Sequence, residues 1–308
     1  MIILTKKHLD VEVSNKTVLA GQFRLVVRRA DGSIRRDTGW FDNLILDAGL
    51  NRWGTGSVAG GAAIGTGTST PNASQTGLDA QSAFTSTQQS TSAGNSGADP
   101  YYGTRSLTYR FALGALNGNY TEVGIGWATG ANMFSRALIV DAFDVPTPIT
   151  VTSDEQLDVS YTLRGYVPTT DVTGTVTIGG VSTSTTLRAA NATTAEWGAR
   201  MSGSKATIGT ALQTVAYNGS LGAITAAPSG TTGTSGGTTA AAYSNNSLTI
   251  TQTATYGLVD ANLAGGITAV RFRFSSTTDF QCGFSPAIAK DSTKTLTLSM
   301  SHTWARRP

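Results

Sequence analysis

Leu157-Asp158-Val159-Ser160-Tyr161-Thr162-Leu163 alternates strictly, with Leu, Val, Tyr and Leu on one side and Asp, Ser and Thr on the other. A period of two marks a half-buried strand, one face on a core and one in water. The phrase has an echo in Leu296-Thr297-Leu298-Ser299-Met300, at an offset of 139 residues. Further upstream, Pro148 answers to Pro286 at 138, and Ser106-Leu107-Thr108 to Ser247-Leu248-Thr249 at 141. Trp53-Gly54 is followed, eleven residues after the Trp, by Ile64-Gly65-Thr66. Trp197-Gly198 is followed at the same distance by Ile208-Gly209-Thr210, so both phrases repeat at 144. No other Trp-Gly or Ile-Gly-Thr occurs in the chain. The order is kept and the register drifts by a few residues only, which two tandem copies of one unit explain. A period of roughly 140 residues is domain-sized and too long for a solenoid repeat.

The rest of the chain reads as short strands and turn clusters. In the first copy these are Gln22 to Val27, Leu107 to Phe111, Val123 to Trp127 and Phe134 to Val140. Arg28 to Arg36 reads as a hairpin, with Asp31-Gly32 supplying a left-handed turn and Arg28, Arg29, Arg35 and Arg36 flanking it in solvent. Asn43 to Trp53 fits a short helix with apolar residues at 46, 50 and 53, weakened by Gly49. Gly54 to Asp99 is a Gly/Ser/Thr/Ala/Gln-rich excursion charged only at Asp79 and Asp99. In the second copy Thr175 to Ile178 stands for the opening strand, and Val270 to Phe274 supplies another. Gly219 to Asn246 is the corresponding excursion. The expectation is an all-β chain of two tandem antiparallel β-sandwich-like domains, residues 1–168 and 169–308, each carrying a long small-residue excursion.

Charged residues make up 13% of the 308, against roughly 25% in a typical globular protein. None occurs from Ala206 to Val259. Disordered chains are usually highly charged and poor in β-formers, and this one is neither. A surface that meets neighbouring subunits instead of water is the other reading of so long a neutral stretch. The net charge of +3 is mild, and the arginines from Arg24 to Arg36 have no nucleic-acid module around them. A single cysteine, Cys282, rules out an intrachain disulfide. Ile2-Ile3-Leu4 before two lysines is too short for a signal peptide, and no stretch nears the roughly 20 apolar residues of a membrane helix. Synthesis in a cytoplasm is expected.

Chemistry is sparse. His8 and His302 each lie within ten residues of a terminus, poor places for the centre of a Ser-His-Asp site. One Cys and two remote His give no metal-ligand spacing. Gly233-Thr234-Ser235-Gly236-Gly237 matches G-x-S-x-G in form, but lacks the strand and helix that make such an elbow work. Gly65-Thr66-Gly67 lacks a phosphate-loop lysine and reads as turn. Glu122, Asp141, Asp144, Asp154, Glu155, Asp158 and Glu196 are the candidates for the carboxylate pair that glycan cleavage requires. Adjacent Asp154 and Glu155 would face opposite ways on a strand. Among the aromatics, Trp127 reads as core, and Tyr101-Tyr102 either packs the excursion down or stands exposed for sugar or subunit contact. No catalytic, cofactor-binding or metal residue is assigned, and no cofactor is expected.

Thr38 to Leu50 contains Phe41-Asp42-Asn43-Leu44-Ile45-Leu46-Asp47-Ala48-Gly49-Leu50, and Ile64 to Pro71 is a small-residue segment. Tyr120 to Trp127, Met133 to Ala137, Pro148 to Val151 and the strand from Leu157 to Leu163 follow in order. This succession resembles the N-terminal region of tail-associated structural proteins of tailed bacteriophages, over residues 22 to 165 and faintly in the second copy. The resemblance implies a non-enzymatic virion component at the tail, as baseplate, tail tip or fibre attachment, forming a symmetric homo-oligomer. Its partners would be other copies of itself and neighbouring virion proteins, with a host-surface glycan or receptor as a further contact, and neither membrane nor nucleic acid. The excursions would be arms that order on a neighbour. A capsid decoration or head-fibre protein shares the composition, and a glycan-binding or glycan-cleaving host-recognition protein is the alternative from another class.

Overall fold

Apolar and hydroxyl side chains that alternate along the chain can bury one face only by forming sheets that stack in layers. The computed structural model describes residues 7–130, 132–201, 213–275 and 277–308, and it is all-β and sandwich-like. The only helix among the described residues is α1 (Asp47–Thr55). A nine-stranded sheet runs through both halves of the chain. At its centre lies β1 (Lys7–Arg29), flanked on one side by β13 (Glu155–Tyr166), β8 (Tyr102–Phe111) and β7 (Gln88–Asn95). On the other side come β22 (Lys294–Arg306), β19 (Thr249–Tyr256) and β18 (Gly237–Ala240), while β2 (Ile34–Asp37) and β3 (Phe41–Asp42) pair with β1 off this path.

Two further sheets form the remaining layers. In the first half, β4 (Leu44–Ile45), β11 (Met133–Leu138), β10 (Glu122–Gly126), β5 (Gly61–Gly65) and β6 (Gln81–Thr85) lie in that order. In the second half, β14 (Val172–Ile178), β15 (Val181–Ala190), β21 (Thr278–Ile288), β20 (Ile267–Ser275), β16 (Gln213–Tyr217) and β17 (Thr232–Thr234) do the same. A small ribbon of β9 (Gly118–Tyr120) and β12 (Ile149–Val151) completes the first half. The halves match over eight strands. In chain order β4, β5, β6, β7, β8, β10, β11 and β13 occupy the places that β15 through β22 occupy in the second half, with the same neighbours. The Trp-Gly phrases fall at equivalent points, between β4 and β5 and between β15 and β16. Ile208-Gly209-Thr210 lies outside the described residues.

One strand serves both halves. The C-terminal part of β1 pairs antiparallel with β13, from Val18 opposite Tyr166 to Arg29 opposite Glu155. Its N-terminal part pairs in parallel with β22, from Lys7 opposite Lys294 to Leu19 opposite Arg306. At roughly 3.3 Å per residue, β1 is about 75 Å long, enough to reach along both. The strand expected to open the second copy, Thr175 to Ile178, therefore lies in β14 of the outer sheet and not beside β22. β1 already holds that position.

The excursions also differ from expectation. Gly54 to Asp99 contains β5, β6 and β7, and Gly219 to Asn246 contains β17 and β18, so both pack on their own chain. The helix begins later than the sequence suggests, because Leu44 and Ile45 pair with β11. Leu46, Leu50 and Trp53 are buried as expected. Gly49 is required by packing: a Cβ there would lie 2.2 Å from the Phe134 carbonyl oxygen.

Each Trp-Gly phrase grips the opposite half. Trp53 meets Trp304 of β22 edge-on with ring centroids 5.3 Å apart, and its Nε1 donates to the Arg200 carbonyl at 2.7 Å. Trp304 stacks on Tyr243 at 5.7 Å and donates from Nε1 to the Leu50 carbonyl at 2.9 Å. At the other seam the backbone of Glu196 to Ala199 lies on Gly103 and Gly165, which are register partners in β8 and β13. A Cβ at Gly103 would sit 1.9 Å from the Trp197 nitrogen, and one at Gly165 2.3 Å from the Gly198 carbonyl carbon.

Candidate functional site

The chemistry-bearing residues are spread through the fold, and most are engaged by their own chain. Glu122 and Arg136 are both fully buried on the β10–β11 hairpin, 2.8 Å apart. Glu122 Oε1 also accepts from the backbone N–H groups of Gly67 at 3.0 Å and Ala80 at 2.8 Å, and Oε2 from Asp79 at 3.0 Å. Arg136 reaches Asp79 at 2.7 Å. This carboxylate clamps the segment between β5 and β6 to the sheet. Asp158 is buried between two arginines, Arg110 at 2.6 Å and Arg28 at 2.9 Å. Burial works against its charge, but the two guanidiniums outweigh it and hold the carboxyl below the usual range. The stabilisation from this lowered value is present above the ordinary carboxylate pKa and is lost as pH falls through the folded value.

Glu155 pairs with Arg35 and accepts from the Thr152 N–H, while Asp154 is exposed, so the two neighbours do face opposite ways. Glu196 pairs with Arg105 at 2.6 Å. Asp141 accepts from the backbone N–H groups of Phe143 at 2.9 Å and Val145 at 3.1 Å, and Asp144 has a φ of 59° in the same turn. Apart from the exposed Asp144, these carboxylates hold turns, strands and arginines in place. Among the described residues no group of three His, Cys, Asp or Glu is placed to hold a metal ion. Ser235 lies in a strand–turn–strand link between β17 and β18, with its Oγ 2.9 Å from Thr238 Oγ1.

His302, although near the chain end, lies within β22. The strand that carries it runs through the middle of the shared sheet, and His302 is buried among Phe274, Phe280 and Trp304 with Nδ1 on Asn15 Oδ1. His8 lies in β1 at the register of Thr295. Trp127 is half-buried beneath Arg52, whose guanidinium lies 5.4 Å from the ring centroid. Tyr101 and Tyr102 are half-buried where β7 turns into β8, and Tyr102 packs on Tyr166 at 5.4 Å. Cys282 is fully buried in β21, and burial pushes its thiol up to about 12. The folded protein should therefore resist a thiol-specific reagent at pH 8 and react in full once denatured. Rapid labelling of the native chain would contradict the buried position.

A candidate contact surface lies at the β1–β2 hairpin. As expected, β1 and β2 pair across a turn in which Gly32 has a φ of 85°. A hollow of about 540 Å³ lies between Arg35 to Thr38 of this hairpin and Asp141 and Ala142 of the facing turn. A second, of about 290 Å³, is lined by Arg24, Arg28, Ile34, Arg110, Asp158 and Ser160, with residues of β7. Large apolar side chains stand out of the same region: Phe143 is 86% exposed, Val145 53%, Ile34 51% and Trp40 46%. Arg24, Arg28 and Arg35 of this surface pair with Asp37, Asp158 and Glu155. Aromatic residues and arginine are the residue types enriched in protein-contact surfaces. Sequence reading found the arginines of the hairpin but not the turn at Phe143, because nothing in the local pattern tells that Asp141 to Val145 faces β2.

No helix among the described residues is long and apolar enough to cross a membrane. Comparison with known proteins finds no matching family model, no similar curated protein and no similar solved structure.

Proposed function

We propose that this protein is a non-enzymatic structural component of a bacteriophage virion, in the tail, where it joins copies of itself to neighbouring virion proteins. The observation that carries the reading is the hairpin end, where Ile34, Trp40, Phe143 and Val145 stand exposed among Arg35, Arg36 and paired carboxylates. Two things support it from elsewhere in the molecule. The ordered phrases from Phe41 to Leu163 resemble phage tail-associated proteins, and four of the candidate carboxylates, Glu122, Glu155, Asp158 and Glu196, are held in ion pairs with arginines.

Immunogold electron microscopy with antibody to the recombinant chain tests the assignment on intact particles from a host lysate. Gold at the tail end is the expected result. Label over the head would replace the tail reading with a decoration protein. Absence of the chain from purified particles by immunoblot would remove the virion reading altogether.

A further inference from the structure

We propose that β14 is a self-association edge, pairing antiparallel with β14 of a second copy about a twofold axis through Thr175. β14 ends the six-stranded sheet, and among the described residues no strand pairs with its outer side. Its sequence, Val172-Thr173-Gly174-Thr175-Val176-Thr177-Ile178, has no charge and no proline, and runs in unbroken register with β15. Every residue from Val172 to Thr175, and Thr177, is exposed. Sheet edges are normally protected by brevity, charge, proline or a bulge. Three other edges are short or interrupted. β17 has three residues and β18 four, and β7 has a register break between Gln88 and Ser90. β14 has none of these protections.

The strand itself names the occupant, because it is nearly palindromic about Thr175. A twofold axis there sets Val172 opposite Ile178 of the second copy, Thr173 opposite Thr177, and Gly174 opposite Val176. On one face Val172 meets Ile178 and Val176 lies over Gly174, while the threonines of the other face meet threonines. A slip of one residue would set the apolar row against the threonine row, so this register is selected over its neighbours. Asp171, just before the strand, is held by Arg188 and would meet Gly179 of the second copy, so no like charges are opposed.

Two hollows lie along this edge. One of about 180 Å³ is lined by Val172 to Val176, Thr185 and Leu187, with Ser14 of β1 across it. The other, about 210 Å³, is lined by Ile178, Val181 and Ile288. The axis brings the first hollow of each copy beside the second hollow of the other. Val172, 56% exposed in one copy, is then covered by the Ile178 end of its mate. The pairing is isologous, so it closes as a dimer and does not propagate through this edge.

The inference deepens the assembly part of the proposed function and rests on it, whichever part of a particle the protein occupies. Sedimentation velocity of the full chain tests it. The natural sequence should self-associate, and Thr175→Lys, which sets two ammonium groups across the axis, should weaken association roughly tenfold or more. Thr175→Cys provides an independent reading, since residues directly opposite in an antiparallel pair are close enough for a disulfide. Mild oxidation should give a covalent dimer with Thr175→Cys and none with Thr173→Cys, whose opposite residue is Thr177. Self-association that survives Thr175→Lys, without the Thr175→Cys crosslink, would overturn the β14 edge while leaving assembly intact. A natural chain that remains monomeric at every concentration would overturn both.

Discussion

Glu122→Ala is expected to lower the unfolding free energy by about 4 kcal/mol, the scale on which removing one member of a buried ion pair acts. The reason is the number of groups left behind. Three backbone N–H groups, of Gly67, Asp79 and Ala80, lose their acceptor, and the buried Arg136 keeps only Asp79 as a carboxylate partner. An orphaned buried donor costs about 1–3 kcal/mol, so the partners alone account for a loss of this size even with partial relaxation. Glu122→Gln keeps one acceptor oxygen but presents an amide to a guanidinium, and should fall between Ala and the natural residue. Replacing both ends, as Glu122→Leu with Arg136→Met, should recover part of the loss, because no charge then remains buried alone. Denaturant unfolding gives the magnitudes, and hydrogen exchange at the amides of residues 67, 79 and 80 gives the location. A loss below about 1 kcal/mol, with no faster exchange at those amides, would show that the clamp does not hold the segment.

This clamp also shows where sequence reading stopped. Glu122 was visible as a carboxylate in an apolar strand, and Arg136 as a cation within Met133-Phe134-Ser135-Arg136-Ala137. What joins them is hairpin register, in which Glu122 pairs with Leu138 and Gly124 with Arg136, and that depends on the turn between. The strands of the long excursion were illegible for a different reason. β5, Gly61-Ala62-Ala63-Ile64-Gly65, is buried at every position, so it has no wet face and no alternation to detect. β7, by contrast, is almost wholly exposed and carries no apolar signal at all. The alternating strands β13 and β22 were legible because one face of the shared sheet is apolar and buried while the other carries polar side chains that are mostly half-buried. Their matched order in the two halves appears as the repeated phrases. The site fared less well. Its arginines were legible as a hairpin, while Phe143 and Val145 reach it only through tertiary structure.

The reciprocal grip of the two halves leads to the second large effect. Trp304→Ala should cost about 4 kcal/mol, within the range for truncating a buried tryptophan. Trp304 is 2% exposed and fills the space between Trp53 and Tyr243, so its removal leaves a cavity that rigid strands cannot close. It also leaves the Leu50 carbonyl without its indole donor. Trp304→Phe restores part of the volume and none of the hydrogen bond, and should cost less than half as much. The shape of the transition carries more information than its midpoint. The ladder between β1 and β22 and the seat of Trp197-Gly198 on Gly103 and Gly165 both survive the substitution. Unfolding of Trp304→Ala should therefore remain one cooperative step with an unchanged denaturant slope, displaced to lower concentration. Two separated steps would mean that the tryptophan cluster, and not the strand common to both halves, couples them. A strand that belongs to both sandwiches at once makes that outcome costly, since neither half can lose β1 without opening its own core.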